Sequence, residues 1–438
     1  MMGTFTKNTL FTFSTRVSAL FLGLLASIII ARTLGPEGKG IYTLAILLPS
    51  LLLTFTNFGI NPATVFYIGK KKYPLSEVFG TNIGITILLG GLAILIGLVI
   101  IFFFGSRLFP GVGKEYLLLA FPLVLFTLFF GFISHILIGL ERFKKYNFVY
   151  FLQSFLFLVL LAILLLGFHF GIKSAILAYV FSFFLVCLIL FFLVKKETKK
   201  VILKPNWEYF KNTFLYGSKA YLGSIFVFFH TRADRFLINF FIAPFAVGFY
   251  SVSAGVAESL WLLSLAASTV LFPRVASETN GRRLKEFTPL VWRSILFITF
   301  LMAILLFFVG PWLIPFLYSE KFLPSIQPFQ ILLLGSLAFC GMGILGNDLS
   351  ARGKPQLMTY TVGISMILNI ILNILWIPKW GITGAAWATS FSYLVCLGII
   401  IFLYSKTSGN KISEILFFQK NDLIFYRNLF SKIKSLKL

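Results

Sequence analysis

Long apolar stretches recur along nearly the whole chain, and they constrain its fold more than any other feature. Hydrophobic residues make up 58% of the 438 residues and charged residues only 12%, with a mean hydropathy of +0.94. A soluble domain is about 45–50% apolar and about 25% charged, so this composition excludes a soluble protein. Apolar windows of about 20 residues predict twelve membrane-spanning helices. They lie near residues 10–31, 41–68, 79–104, 115–139, 148–168, 172–194, 213–242, 246–272, 287–309, 323–346, 357–377 and 382–403.

Basic residues are divided very unevenly among the predicted loops. Of the 38 Lys and Arg residues, 26 fall in the termini and in the loops on the same side, and seven fall in the loops on the other side. Because basic loops stay in the cytoplasm, this bias predicts a multi-pass protein of the cytoplasmic (inner) membrane with both termini cytoplasmic. It also explains the net charge of +24 without a nucleic-acid partner.

Short matches about 209 residues apart indicate an internal repeat. Two of them pair Gly40-Ile41-Tyr42 with Gly248-Phe249-Tyr250, and Leu185-Val186-Cys187-Leu188 with Leu394-Val395-Cys396-Leu397. Six spans per half is an even number, so the halves are parallel repeats with a substrate site between them. We therefore predict four segments: an N-terminal six-helix bundle (1–194), a basic cytoplasmic linker (195–212), a C-terminal six-helix bundle (213–403) and a basic cytoplasmic tail (404–438). The tail is either an amphipathic helix on the membrane surface or partly disordered.

The seventh span carries unusually many ionisable residues for an apolar segment. They are Lys219, His230, Arg232, Asp234 and Arg235. A charge at the bilayer centre costs about 2.5–3.5 kcal/mol, so these groups must face protein, each other or a water-filled cavity. At about 100° per residue, Lys219, His230 and Asp234 share one helix face, and the two arginines lie on roughly the other side. Two polar faces predict a helix surrounded by protein, unless the span simply ends near Arg232.

Four motifs, in order along the chain, carry a family resemblance. They are Ala31-Arg32-Thr33-Leu34-Gly35-Pro36-Glu37-Gly38-Lys39-Gly40-Ile41-Tyr42, Arg232-Ala233-Asp234-Arg235-Phe236-Leu237-Ile238, Leu271-Phe272-Pro273-Arg274 and Ile377-Pro378-Lys379-Trp380-Gly381-Ile382-Thr383-Gly384-Ala385-Ala386. Over residues 5–405 the chain resembles the polysaccharide-transport (oligosaccharide flippase) family of the multidrug/oligosaccharidyl-lipid/polysaccharide exporter superfamily. The resemblance implies an all-α membrane protein of two six-helix bundles in a V, which opens alternately to each face. It also implies flipping of a polyprenyl-diphosphate-linked oligosaccharide to the outer leaflet, for O-antigen or exopolysaccharide biosynthesis.

A diphosphate head group requires cationic donors in a wet cavity, and the planar fork of arginine binds phosphate oxygens in pairs. The expected diphosphate ligands are Arg16, Lys219, Arg232 and Arg235. The first and seventh spans are equivalent in the two repeats, so these residues can face each other across the cavity. Two alternatives stay open: Arg16 extends to the inner interface, and Arg232 or Arg235 forms a structural pair with Asp234 or Glu258.

Oxygen-bearing side chains beside these cations suggest ion coupling. Asp234, Asn369, Asn373 and the Thr389 hydroxyl could bind Na⁺, or Asp234 could take a proton. The alternative for the asparagines is hydrogen bonding between helices. We expect no other cofactor and no other metal.

Two other classes of function compete with the flippase. An ion-coupled drug/cation antiporter of the same superfamily needs unpaired acidic residues in its spans, but here basic residues outnumber Asp234 and Glu258. A membrane glycosyltransferase or polymerase needs a large loop or an acidic metal motif, and the chain has neither, nor an ATP-binding phosphate loop. We therefore expect no enzymatic activity. The expected partners are the lipid-linked oligosaccharide, membrane lipids and polysaccharide polymerase machinery, with the protein itself a monomer.

Overall fold

The computed structural model describes residues 2–168, 170–198, 205–277, 281–419 and 422. Within these ranges, the side chains of residues 2–10, 219–220, 269–270, 272–274, 276–277 and 281–284 fall outside the description. The described chain is helical almost throughout and contains no strand. The predicted all-α class is thus confirmed.

Fifteen α-helices in the described chain follow one another through short connections. They are α1 (Met2–Thr56), α2 (Ile60–Gly69), α3 (Leu75–Val99), α4 (Gly105–Leu108), α5 (Lys114–Leu119), α6 (Pro122–Gly139), α7 (Phe143–Leu161), α8 (Ile172–Thr198), α9 (Trp207–Phe241), α10 (Pro244–Glu258), α11 (Trp261–Ser277), α12 (Gly281–Tyr318), α13 (Ile326–Ala351), α14 (Pro355–Ser408) and α15 (Ile412–Leu416). Wide π-helical turns continue α3 and α7, and a 3₁₀ segment, Glu320–Ser325, precedes α13.

Each of the twelve predicted spans corresponds to helical chain. Helix α1 contains the first span and most of the second, joined at Gly35 (φ 68°), and α14 contains the last two, joined at Gly381 (φ 60°). Glycine adopts these positive φ values without a steric penalty, so each helix pair changes direction there. Among the described residues, eight helical segments are long and apolar enough to cross a membrane, and α10 with α11 forms a ninth that bends by 42°.

The second predicted span, 41–68, is interrupted in its interior. Helix α1 ends at Thr56 and α2 begins at Ile60, because Phe58 (φ 44°) and Gly59 (φ 67°) adopt left-handed backbone conformations. A Cβ atom at Gly59 would lie 2.5 Å from the carbonyl oxygen of Gly217 in α9. The break therefore lets α9 approach the backbone of the second span directly.

Helices α1 and α10 cross in a reciprocal contact, which we call the Gly40–Gly248 crossing. A Cβ atom at Gly40 would overlap the Pro244 carbonyl group, and one at Gly248 would overlap the Pro36 carbonyl group. Gly40 and Gly248 are matched positions in the proposed repeat. An axis of two-fold pseudosymmetry between the repeats produces this kind of mutual contact.

Helix α9 contacts both predicted bundles. Near its start, the Tyr209 hydroxyl lies 3.1 Å from Thr64 Oγ1 of α2 and donates to Asn82 Oδ1 of α3 at 3.1 Å. Farther along, α9 packs against α10 and α14. Helix α8 continues to Thr198 and α9 begins at Trp207, so helices enter the predicted linker from both sides; residues 199–204 lie outside the described chain.

The beginning of the predicted tail packs against α12. Arg293 donates to both carboxylate oxygens of Asp422, each at 2.7 Å, and to the Glu414 carbonyl. Ile415 in α15 is fully buried, and the ring of Phe418 lies 5.8 Å from that of Phe297. The predicted amphipathic helix falls mostly on residues 423–438, which lie outside the described chain.

Candidate functional site

Two arginines of α9 share one carboxylate at the end of α10. Arg232 donates from Nη1 to Glu258 Oε1 at 2.7 Å and from Nη2 to Glu258 Oε2 at 3.1 Å. Arg235 Nη2 donates to the same Oε1 at 3.1 Å. The side chains of Arg232 and Glu258 keep 29% and 22% of their surface exposed, whereas Arg235 keeps 10%. The pairing with Glu258, given above as an alternative, is therefore present.

Helix α9 is only partly surrounded by protein: its charged second half lies among other helices, whereas Leu215, Tyr216 and Leu222 of its first half are exposed. It packs against α1, α2, α10 and α14, and His230, Asp234 and Arg235 are buried. Buried charge is tolerated only when partner groups compensate it. Here the partners come from α10 and from the polar residues of α14.

Lys39 joins this region, although the sequence placed it in a loop. Its side chain is 6% exposed, its Nζ donates to Ser27 Oγ at 2.8 Å, and it lies close enough to Arg235 for electrostatic repulsion. The helix resumes directly after Gly35, which turns Lys39 inward. Pro36 was the available signal, because proline favours the first turn of a helix and so predicts that Lys39 is helical.

Asp234 belongs to a polar network next to the arginines. Its Oδ1 accepts the backbone N–H of Arg235 at 2.7 Å, and its carboxylate lies close to the Tyr250 hydroxyl. Tyr250 in turn lies 3.3 Å from Thr389 Oγ1. The network thus joins α9 to α10 and to the second part of α14.

The predicted coupling residues of α14 complete this network. Asn369 Nδ2 donates to Thr389 Oγ1 at 3.3 Å and to Ser392 Oγ at 3.2 Å, and Asn373 Nδ2 donates to Asn369 Oδ1 at 3.1 Å. Asn373 Oδ1 is buried and has no hydrogen-bond partner. The structure therefore connects Asp234 to Asn369 and Asn373 through Tyr250 and Thr389, and it leaves one amide oxygen available.

The other two predicted diphosphate ligands, Arg16 and Lys219, have no described contact with the arginine pair. Arg16 is exposed and lies beside the Tyr146 hydroxyl of α7; no described contact joins it to Arg232 or Arg235. The side chain of Lys219 lies outside the described part of the structure. A separate groove of about 690 Å³, lined by residues including Glu37 and Lys173, does not include the arginines.

Comparison with known proteins agrees with the sequence resemblance. A family model described as polysaccharide biosynthesis protein matches residues 29–327. A protein of Haloferax volcanii named "probable low-salt glycan biosynthesis flippase Agl15" is 27% identical over 44% of the chain, but this match spans only 41% of that relative. A Shigella flexneri protein, described provisionally as an O-antigen transporter, is 24% identical and covers 86% of the chain and 92% of its own length.

A solved structure shows the same fold. The lipid II flippase MurJ, in its inward closed conformation, superposes with a TM-score of 0.76 and 18% sequence identity. The superposition covers 96% of this chain and 92% of that one. The predicted exporter fold of two six-helix bundles is confirmed.

Proposed function

The chain belongs to the polysaccharide biosynthesis protein family, and on that premise we propose that it is a flippase for a polyprenyl-diphosphate-linked oligosaccharide. The lipid-linked sugar moves from the inner to the outer leaflet of the cytoplasmic membrane by alternating access, for surface polysaccharide biosynthesis. The relatives named as flippase and transporter support this class of activity. The same relatives also favour a transport function for this chain over an enzymatic reaction.

The arginine pair carries the proposal. Two guanidinium groups share one carboxylate, and Lys39 lies close to Arg235, so three basic residues lie near only two carboxylates, Glu258 and Asp234. A diphosphate carries about two negative charges, and the guanidinium fork matches phosphate oxygens as well as it matches a carboxylate. The partial exposure of Arg232 gives such a head group access. Arg232 and Arg235 are thus the proposed core of the diphosphate site, with Arg16 and Lys219 as further ligands along its path.

Coupling to Na⁺ or H⁺ is the second part of the proposal. The buried Asn373 Oδ1 has no partner, and an unsatisfied buried acceptor costs about 1–3 kcal/mol. A Na⁺ ion held by Asp234, Asn369, Asn373 and Thr389 would relieve that cost. In proteoliposomes, we expect replacement of Na⁺ by K⁺ to slow flipping and Asn373→Ala to remove the difference. A rate that is independent of Na⁺ and unchanged in the variant would rule out sodium coupling.

The remaining assignments follow from the sequence. We place both termini in the cytoplasm, because the basic residues are concentrated there, and we expect a monomer that meets polymerase machinery at the outer face. Tags at both ends of the chain should be accessible to impermeant reagents only after the cells are lysed.

Flipping in an otherwise inactive strain tests the proposed function. In cells that lack the gene, lipid-linked oligosaccharide should accumulate on the inner leaflet, and the wild-type chain should relieve this accumulation. Arg232→Ala should reduce flipping about tenfold or more, because charge-assisted hydrogen bonds contribute about 1.5–3 kcal/mol.

Arg142→Ala is the matched control. Arg142 also pairs with a glutamate, Glu197, but its side chain is 57% exposed, so this variant should flip normally. Normal flipping by Arg232→Ala at wild-type abundance would refute the assigned role of Arg232. No accumulation in the deletion strain would refute the flippase assignment itself.

A further inference from the structure

Glu258 stands out because it is both the partner of the two arginines and the last residue of α10. Helix α11 begins three residues later, and the axis bends by 42° between the two helices. Across this bend the hydrogen bonds connect residues three apart, from Ser259 N to Val256 O and from Leu260 N to Ala257 O, each at 3.3 Å. The carboxylate therefore lies at a bent joint of the eighth span rather than inside a continuous helix.

Its contacts have the geometry of a bound anion. Both oxygens accept from the fork of Arg232, and one of them also accepts from Arg235. A phosphate group would use the same donors in the same bidentate arrangement. The pair is partly exposed, with 29% of the Arg232 side chain and 22% of the Glu258 side chain accessible, so an incoming anion can reach it without unfolding the helix.

The local charges oppose simultaneous binding of both anions. Asp234 accepts the backbone N–H of Arg235, whereas Glu258 accepts from the two guanidinium groups. An incoming diphosphate would therefore compete with Glu258 for these groups. Two adjacent anions repel each other strongly in a low-dielectric site. Movement of Glu258 away from the arginines would relieve this repulsion, and the bend after Glu258 is where such a movement could occur.

We propose that Glu258 is a resident counter-ion that the diphosphate of the substrate displaces from Arg232 and Arg235, and that this displacement changes the bend between α10 and α11. This inference rests on the proposed flippase function and deepens it. Recognition of the head group is thereby linked to the shape of the eighth span. Without substrate, Glu258 neutralises part of the arginine charge and holds the joint bent.

Binding of a polyprenyl diphosphate to the purified full-length protein tests the exchange. Geranylgeranyl diphosphate in detergent micelles serves as the probe, with geranylgeraniol as the lipid control without phosphate. Glu258→Gln removes the competing charge and keeps the shape of the side chain, so it should bind the diphosphate roughly five- to tenfold more tightly than the wild type. Glu286→Gln removes one negative charge from an exposed position of α12 and should leave the affinity unchanged.

Hydrogen–deuterium exchange of residues 256–263 provides a second measurement, which can also be made on the wild-type protein. The diphosphate should change exchange in this segment of the wild-type protein, and Glu258→Gln should show the changed pattern without ligand. Unchanged or weaker binding by Glu258→Gln, or an unresponsive segment in a wild-type protein that binds the diphosphate, would overturn the counter-ion role alone. Failure of the wild type to distinguish the diphosphate from geranylgeraniol would overturn the proposed function as well.

Discussion

Arg232, Arg235 and Lys39 bring three cations together near only two carboxylates, Asp234 and Glu258. Lys39 and Arg235 are both buried, so neither side chain is well solvated by bulk water. A buried cation beside other cations destabilises the protein unless an anion arrives. An imbalance of this kind is expected where a chain binds an anionic ligand, because the ligand supplies the missing charge.

Replacement of the buried Lys39 should have opposite effects on the stability of the protein and on its binding of diphosphate. Lys39→Met keeps a similar length and removes a desolvated charge beside Arg235, so it should stabilise the protein by about 1–3 kcal/mol and should weaken diphosphate binding. Thermal unfolding in detergent and probe binding measure the two effects. Lys173→Met, at an exposed position of α8, should change neither. A lower unfolding temperature for Lys39→Met would show that Lys39 is primarily a structural residue.

The sequence predicts which charged residues form the site, but it does not predict which carboxylate pairs with which arginine. The charges of the seventh span required a protein environment, and the charged second half of α9 has one. The sequence could not choose between Asp234 and Glu258 as the partner of Arg232, because that choice depends on the angle at which α10 crosses α9. Lys39 was missed because it falls between the predicted spans 10–31 and 41–68, whereas helix α1 continues through these residues.

At the scale of elements, the Gly40–Gly248 crossing depends on the absence of side chains. Gly248→Ala would force a methyl group against the Pro36 carbonyl and should destabilise the protein by about 1–3 kcal/mol. Gly255 lies in the same helix with no atom near its potential Cβ position, so Gly255→Ala should instead stabilise by about 0.5–1 kcal/mol. Unfolding temperatures of the two variants should shift in opposite directions. Shifts in the same direction would contradict close contact at this crossing.

The attachment of the tail to α12 leads to a second prediction for an element. Arg293 and Asp422 are both 4% exposed as side chains, and breaking a buried pair by removing one partner costs about 3–5 kcal/mol. Asp422→Ala should therefore lower the unfolding temperature markedly. Glu208→Gln breaks the exposed pair with Lys72 and should have no measurable effect. If both variants unfold like the wild type, the tail does not depend on this pair.

For the molecule as a whole, hydropathy and charge predicted the number and order of the spans, because insertion into a bilayer depends on these two properties. The repeat matches also placed Gly40 and Gly248 in equivalent positions, which the structure brings into mutual contact. The interruption of the second span at Phe58 and Gly59 lies in a part of the span that is not uniformly apolar. Asn57, Gly59, Asn61 and Pro62 surround it, and these residue types favour turns. The sequence therefore signals a break here, but not the close backbone contact with Gly217.

The proposed alternating access requires the halves to separate where they now touch. Phe109, after α4, and Phe236 of α9 join them with ring centroids 5.8 Å apart. In a variant without the native cysteines, a thiol cross-linker of matched length between Phe109→Cys and Phe236→Cys should stop flipping, and cleavage of the linker should restore it.

A pair within one half provides the control for the cross-link. Phe249 and Phe322 have ring centroids 5.9 Å apart, and both belong to the C-terminal half. Linking cysteines at these two positions should leave flipping largely intact. Full activity of the linked Phe109→Cys/Phe236→Cys variant would show that the halves do not part there.

Helix α9 is held by different partners at its two ends: Tyr209 binds α2 and α3, whereas Arg232 binds α10. Any rocking of one half against the other must therefore twist or flex α9, whose interior contains Gly217 and Gly223; glycine is among the least favourable residues inside a helix. Helix α9 also bears the guanidinium groups, so in the proposed flippase the element that flexes would also be the one that binds the head group. In a transporter of this design, no separate element is needed to connect binding of the head group to movement of the two halves.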